Sequence, residues 1–195
     1  MAYYEQGAGG APWRELAGSA RWHLRLEDTS GGPLRAALIL DLRVPERGLS
    51  MSMAIRRDAS EDITHLFELI FLSPQGRPFD AVSAVPSVVM KREDGGSRQT
   101  LAGLSIKVAP GIFLFGLSAD KEDARRNAQA LRALSRFDIP ISFADGSSAI
   151  ISVGKGASGE RAFAEALADW AADQRGGELL SQGALWMLSG SLDRR

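Results

Sequence analysis

The sequence predicts a mainly β protein, an antiparallel β-sandwich of about seven to nine strands with one or two helices in its C-terminal half. Three observations lead to this prediction. Apolar and polar residues alternate with a period of two between residues 21 and 56, glycine- and proline-containing turns divide the chain, and the apolar period becomes helical only after residue 120. Strands that follow one another, rather than alternating with helices, favour a sandwich, with an α+β fold as the alternative.

The first strands have the clearest pattern. Residues 1–19 are rich in glycine and alanine and are predicted to form a flexible lead-in. Alternation begins around Trp22, continues through residues 34–44 after a turn at residues 30–33, and resumes after a second turn at residues 45–48. Each segment puts apolar residues on one face and polar residues on the other, which is typical of an antiparallel sheet with one solvated face.

Further strands are predicted at residues 64–72, 86–91, 100–108, 111–118, 136–143 and 148–153. The third and fourth of these are separated by Ala109-Pro110-Gly111, and the last two by a segment containing Asp145-Gly146. Both separators are hairpin signals. Between the two hairpins the apolar spacing becomes helical, and Ser118 or Asp120 is available as the helix N-cap.

A second helix is predicted to close the domain. An apolar stripe spaced i, i+3, i+4 and i+7 runs from Phe163 to Trp170 and indicates a helix that starts near Ser158. The sequence therefore predicts a single sandwich-like domain over residues 20–172. Residues 173–195 are predicted to form a C-terminal tail, in which residues 179–188 can make a short extra helix.

Composition argues against several classes of function. The formal net charge is −1 and the two signs are interspersed, so the basic stripe of a nucleic-acid-binding protein is missing. Cysteine is absent, which excludes disulfides, thiolate metal sites and cysteine nucleophiles. No apolar run reaches the ~18 residues of a membrane span. The first residues lack a signal-peptide pattern, so we expect either a cytoplasmic protein or one with an upstream targeting segment or anchor outside this sequence.

The most suggestive motif runs from Gly154 to Gly159 and fits G-x-G-x-x-G between a predicted strand and a predicted helix. A dinucleotide-binding unit also needs a second parallel strand with an acidic residue ~20 positions further on, and little chain follows to build one. We interpret the motif as a flexible strand-to-helix turn. A weaker hypothesis is that Lys155, Gly156 and Arg161 hold an anion at this helix start.

No other motif predicts catalysis. Ser118 to Lys121 fits the S-x-x-K of serine acyl-enzymes, but the companion K-T-G is absent, and we interpret the serine as a helix cap. His23 and His65 are far apart and lack further ligands at suitable spacing, so a metal site is not expected. The sequence therefore predicts neither catalytic residues nor a cofactor.

A possible partner surface lies on the first strands. Their exposed faces are predicted to carry six arginines: Arg21, Arg25, Arg35, Arg43, Arg56 and Arg57. We interpret this face as solvated surface. The alternative is that it self-associates or docks an acidic protein partner, because arginine is enriched in interfaces and sheet edges accept partner strands.

The C-terminal third resembles a known family. Residues 137–153, FDIPISFADGSSAIISV, and residues 159–167, GERAFAEAL, are similar to the end of the invasion-associated locus B proteins. Residues 101–108 and 111–115 are similar to uncharacterised alphaproteobacterial proteins of the same group. The resemblance implies a secreted or periplasmic β-sandwich domain of an envelope protein without known enzymatic chemistry. It supplies no functional residues, and this chain lacks the cysteines that the family commonly carries.

These observations lead to two functional hypotheses. The first is a non-enzymatic envelope domain, periplasmic or membrane-anchored, that acts in protein interaction or envelope maintenance. The alternative is a small-ligand protein or enzyme that binds a phosphate-bearing cofactor at the Gly154–Gly159 turn.

Overall fold

The computed structural model describes residues 1–7, 9–28, 34–58, 60–77, 79 and 81–189; for residues 173–189 it describes the backbone. The predicted turn at residues 30–33 and the last residues of the predicted tail, 190–195, lie outside the described residues.

Thirteen strands and two helices form within this part of the chain. The strands are β1 (Ala2–Gln6), β2 (Arg14–Ala17), β3 (Ser19–Glu27), β4 (Arg35–Val44), β5 (Leu49–Arg57), β6 (Ile63–Leu72), β7 (Val82–Ala84), β8 (Val89–Lys91), β9 (Arg98–Thr100), β10 (Gly103–Ala109), β11 (Ile112–Ser118), β12 (Arg136–Phe143) and β13 (Ser148–Gly154). The helices are α1 (Lys121–Ala133) and α2 (Gly156–Ser189), and a 3-10 turn (Pro45–Arg47) joins β4 to β5.

The strands make two antiparallel sheets, which confirms the prediction of a mainly β, sandwich-like fold. One sheet has seven strands in the order β2-β1-β13-β12-β8-β9, with β7 also paired to β12. The other has six strands in the order β10-β11-β6-β5-β4-β3. No cis peptide bond occurs among the described residues.

The predicted number of strands, seven to nine, is too low. The four strands that sequence patterning missed are β1, β2, β7 and β9, and each has only three to five residues. Such segments are too short for alternation to be distinguished from chance. Residues 1–19 are therefore not simply a loose lead-in, because β1 pairs with β13 and buries Tyr3 completely.

The core lies between the two sheets. The alternation predicted for residues 34–44 places Leu38, Leu40 and Leu42 in this core, as expected. Phe137 and Ile139 of β12 contribute from the opposite sheet. Alternate residues of each strand face outward, so each sheet also presents an outer face.

Helix α1 begins where the sequence predicts. The side chain of Asp120 accepts hydrogen bonds from the amides of Glu122 and Asp123, at 3.0 and 3.4 Å. The hydroxyl of Ser118 accepts a bond from the amide of Asp120 at 3.2 Å. The serine of the S-x-x-K motif therefore supports the start of a helix, as the sequence interpretation holds.

Helix α2 packs on the end of the six-stranded sheet. Phe163 lies against the rings of Trp22 and Phe137, with centroids 5.1 and 5.8 Å apart. The helix starts at Gly156 and continues to Ser189, so the predicted tail is continuous with it instead of forming a separate short helix. The glycines at 176, 177 and 183 lower the helix propensity of this stretch but do not interrupt it.

Candidate functional site

Lys155, the central residue of the predicted anion site, is turned into the protein. Its side chain is buried, and its ammonium Nζ donates a hydrogen bond to the carbonyl of Leu131 at 2.7 Å. Nζ also lies 4.2 Å from the ring centroid of Phe163. Burial lowers the pKa of Lys155, while the nearby carboxylate of Glu160 opposes that shift. Lys155 thus satisfies a carbonyl in the last turn of α1, a favourable place for a cation.

Two glycines of the same motif, Gly154 and Gly159, contact Trp22. The Gly154 carbonyl accepts a hydrogen bond from Trp22 Nε1 at 3.1 Å, and a Cβ at Gly159 would lie 2.9 Å from the Trp22 ring. Gly156 has φ +59°, a conformation that favours glycine. Gly156 and Arg161 face solvent while the lysine points inward, so the three residues do not converge on one ligand position.

The two histidines occupy separate strands and separate environments. His23 lies on the outer face of β3, with Nδ1 3.8 Å from Asp41 Oδ2. His65 packs edge-on against Trp170 at a centroid distance of 4.9 Å. Burial, together with the positive charge of Arg57, lowers the pKa of His65 to about 4. Within the described residues, no three histidine, aspartate or glutamate side chains are grouped so that they could hold a metal ion.

The predicted arginine face is partly neutralised by acids on the same face. Arg56 pairs with Glu27 at 2.6 Å and with Glu68 at 2.9 Å, and Arg25 pairs with Glu27 as well. These hydrogen bonds raise the pKa of Arg56 and lower the pKa of Glu27. Sequence patterning counted the arginines of three strands but could not place Glu68, which comes from β6, among them.

Three of the remaining arginines differ in position and pairing. Arg57 is two residues from the buried Ile55 on the same strand, so it lies on the inward side of β5 and not on the outer face. Arg21 and Arg43 are exposed on the outer face, and neither forms an ion pair with the part of the chain that the structure describes.

An apolar surface covers the other half of the same outer face. Leu104, Ile106 and Val108 of the edge strand β10 expose 73%, 50% and 50% of their area. Half-buried residues of the two neighbouring strands extend this apolar surface: Ile112 and Leu114 on β11, and Leu66, Ile70 and Leu72 on β6. Cross-strand register places Ile106 beside Leu114 and Ile112 beside Ile70, so these apolar side chains are contiguous, whereas Glu68 stands opposite Leu114 and separates Leu66 from Ile70.

A groove of about 720 Å³ adjoins the apolar surface at one end of the sheet. Its lining includes Arg43, Ser50, Ser52 and Leu72, and the segment 73–76 forms one wall. The outer face of the six-stranded sheet therefore combines an exposed apolar half with a polar groove that contains an unpaired arginine. This is the composition expected of a protein-binding surface.

The outer face of the seven-stranded sheet carries a different feature, a polar cleft of about 420 Å³. Its lining includes Tyr4, Lys91, Arg98, Arg136, Asp138 and Ser152. Lys91 pairs with Asp138 at 2.5 Å, and the Ser152 hydroxyl donates to the same carboxylate at 2.6 Å. Arg136 Nε in turn donates to the Ser152 oxygen at 3.0 Å.

This arrangement does not resemble an activated nucleophile. Ser152 is 2% exposed, and its hydroxyl donates to an ion-paired carboxylate, with no histidine beside it to accept its proton. What the cleft offers instead is hydrogen-bond donors and positive charge. Sequence reasoning missed it because its residues come from five strands, two of which are among the short strands that patterning did not predict.

Comparison with known proteins finds no protein-family model, no curated protein and no solved structure that matches this chain. Among the described residues, neither helix combines the length and the apolar character that crossing a bilayer requires. Function is therefore inferred from the chain's own residues and their geometry.

Proposed function

We propose that this chain is a non-enzymatic protein-interaction domain of the bacterial envelope, periplasmic or membrane-anchored. The observation that supports it best is the apolar surface on β6, β10 and β11. Leu104 alone exposes 73% of its area beside two half-exposed aliphatic residues. Soluble proteins seldom leave contiguous apolar side chains of this kind uncovered unless a partner covers them.

The neighbouring groove suggests the chemistry of the partner. Arg43 lines the groove without an ion pair in the described chain, and Arg21 is likewise unpaired on the adjacent strand, so these two arginines outnumber Asp41, the acid that lines the groove. A segment that places apolar residues on β10 and β11 and acidic residues beside Arg43 would match both halves of the face. We therefore propose an amphipathic, acidic segment of a partner protein as the occupant.

The envelope location has separate support, namely the resemblance of residues 137–153 and 159–167 to the end of the invasion-associated locus B proteins. It is tested by fractionating cells that express the protein at its native level. We expect the protein in the periplasmic or membrane fraction, together with a known envelope marker. Recovery with a cytoplasmic marker would contradict the location while leaving the interaction proposal open.

Site-specific photo-crosslinking tests the interaction. A benzophenone side chain at position 104 or 106 should react, in the native host, with one and the same protein. The same side chain at position 132, exposed on α1, is the matched control and should not react with it. Arg43→Glu should abolish the crosslink because it reverses the charge that meets the acidic segment, whereas Arg132→Glu should leave it intact.

The site of attachment decides the result. The proposal is supported if mass spectrometry places the crosslink in an apolar segment with acidic residues. It is overturned if positions 104 and 106 give no more product than position 132. A crosslink only to a second copy of the chain would also overturn it, and would make self-association the role of this surface.

The Gly154–Gly159 turn is not favoured as a cofactor site. The ammonium group of Lys155 donates to the Leu131 carbonyl. The Trp22 ring packs against Gly159 and fills the space at the helix start where a phosphate group would bind. No specific observation supports a second function at this turn.

A further inference from the structure

Three cations stand side by side in the polar cleft. The strand register pairs Arg98 of β9 with Lys91 of β8, and Lys91 with Arg136 of β12. Directly opposite residues of antiparallel strands have Cβ atoms ~5 Å apart, so this row spans ~10 Å across three strands. Like charges placed directly opposite one another destabilise a sheet.

The carboxylates near the row neutralise only part of it. Asp138, two residues beyond Arg136 on β12, pairs with Lys91, and Glu93 pairs with Arg136 at 2.8 Å. Arg92, which also lines the cleft, is held by Asp94 of the same turn at 2.9 Å. Arg98 forms no ion pair or hydrogen bond through its side chain with any residue that the structure describes.

Protection of the sheet edge does not account for this arrangement. A single charged residue on an edge strand discourages pairing with another chain, and Arg98 is on such a strand. That role requires no second and third cation on the two strands inside the edge. It also does not require a cleft of about 420 Å³ in front of them.

Several donors remain free to meet a ligand. A lysine ammonium has three donors and an arginine guanidinium five. Contacts within the described part of the chain use one donor of Lys91, two of Arg136 and none of Arg98. Because Asp138 pairs with Lys91 and Glu93 pairs with Arg136, the Arg98 end of the row is its most positive part.

We propose that this cleft binds a small ligand through a phosphate group, either free phosphate or a phosphate monoester. A tetrahedral dianion can accept a forked pair of hydrogen bonds from Arg98 and a further bond from Lys91, and its charge offsets the repulsion along the row. Tyr4 and Ser152 line the remaining space, where the organic part of a monoester would lie. The size of the cleft is within the range of small-molecule sites.

Titration of the full chain with inorganic phosphate, followed by 1H–15N NMR in a phosphate-free, low-salt buffer, tests this proposal. We expect saturable shifts of the amides of residues 91, 98 and 136. Sodium acetate at matched ionic strength should not produce these shifts, because a monocarboxylate has half the charge and only two acceptor oxygens. Glycerol 3-phosphate should bind at least as tightly as phosphate if the cleft admits an organic group, and more weakly if the site accepts only the free ion.

Variants at position 98 identify the site. Arg98→Gln should weaken phosphate binding about tenfold, since a hydrogen bond to a charged group contributes that much or more. Arg98→Lys should weaken binding less than Arg98→Gln does, because it keeps the positive charge but cannot donate the forked pair of hydrogen bonds. Arg132→Gln, which removes an exposed arginine on α1, should have no effect. Arg98 is exposed, so the variant spectrum should match that of the parent outside the cleft and show that the fold is retained.

Two results would overturn the proposal. One is the absence of saturable shifts at the cleft up to tens of millimolar phosphate. The other is saturable binding that Arg98→Gln leaves unchanged, which would place the phosphate elsewhere. Neither result bears on the apolar surface, because that surface belongs to the other sheet.

Discussion

Lys155 shows what sequence reasoning can and cannot recover about a single residue. The glycine-rich turn and the helix that follows it are local features, and both were predicted. The position of the lysine side chain depends on Leu131, 24 residues earlier, which comes close only when α1 packs beside α2. The motif therefore predicted the turn correctly, but it placed Lys155 at a solvent-facing anion site, whereas the side chain is buried.

His65 gives a prediction about acid stability. Its pKa is about 4 in the folded protein and 6.5 when unperturbed, so the unfolded chain takes up a proton below pH 6.5 while the folded protein does not. Protonation then favours unfolding, and this loss of stability grows from about pH 6.5 down to about pH 4. The full effect is about 3 kcal/mol of unfolding free energy.

Urea unfolding at pH 7, 5.5 and 4 measures this effect. His65→Phe keeps a ring against Trp170 but cannot be protonated, so its stability should fall less between pH 7 and pH 4 than that of the parent. His23→Gln removes the other histidine and should leave the steeper fall unchanged. Equal pH dependence of the parent and His65→Phe would show that His65 does not remain neutral in the folded protein.

At the scale of elements, length decides which strands can be read from sequence. β4 and β5, with ten and nine residues, show alternation long enough to assign both faces. β7, β8 and β9 have three residues each, and only their partners fix them in place. The polar cleft is built largely on such short strands, so most of it was not predictable without the pairing.

The apolar surface, in contrast, left a signal in the sequence. The predicted hairpin of residues 100–108 and 111–118 implies a register around Pro110-Gly111. In that register Ile106 pairs with Leu114 and not with the buried Phe113 or Phe115. Leu104 and Ile106 of β10 therefore lie on the same outward side as Leu114, while Val108 lies at the register shift between Lys107 and Ala109. The alternation of apolar and polar residues in the sequence indicates that one side of β10 is apolar. The pairing of β10 with β11 shows that this side faces outward.

Helix α2 is anchored by two consecutive side chains. The Asp169 carboxylate accepts from the Ala36 amide at 3.0 Å, and Trp170 Nε1 donates to the Ala36 carbonyl at 2.8 Å. Both backbone groups of one residue of β4, beyond the end of its pairing with β5, are thus satisfied by the helix. Helix α2 therefore supplies hydrogen-bond partners to the backbone of β4 and also covers part of the core.

Substitutions of Trp170 test this docking. Trp170→Ala should reduce the unfolding free energy by about 3–5 kcal/mol, as should Phe163→Ala, because each removes a buried aromatic ring. Trp170→Phe keeps most of the ring and loses the bond to Ala36, so it should cost about 1–3 kcal/mol. Trp13 is 49% exposed, and Trp13→Ala should change stability by no more than about 0.5 kcal/mol. If Trp170→Ala unfolds at the same urea concentration as the parent, α2 does not dock as described.

For the molecule as a whole, the two outer faces of the sandwich differ in character. One sheet presents an apolar surface beside a groove, and the other presents a cleft with a row of cations. Because the core separates the two sheets, a substitution on one outer face should leave the other face unaltered. A partner protein and a phosphate ligand can therefore be bound independently, and each proposal can fail without the other.

The exposed apolar surface should also be detectable without any partner. A dye that becomes fluorescent on apolar protein surfaces, such as ANS, should bind the native protein through β10 and β11. Leu104→Ser combined with Ile106→Ser should remove most of this fluorescence and change the unfolding free energy by about 1 kcal/mol at most, since both side chains are at least half exposed. Leu26 is also 58% exposed but belongs to β3, at the opposite edge of the sheet. Leu26→Ser is therefore the matched control and should leave the dye bound. Undiminished fluorescence in the double variant would mean that these residues do not form the accessible apolar surface on which the interaction proposal depends.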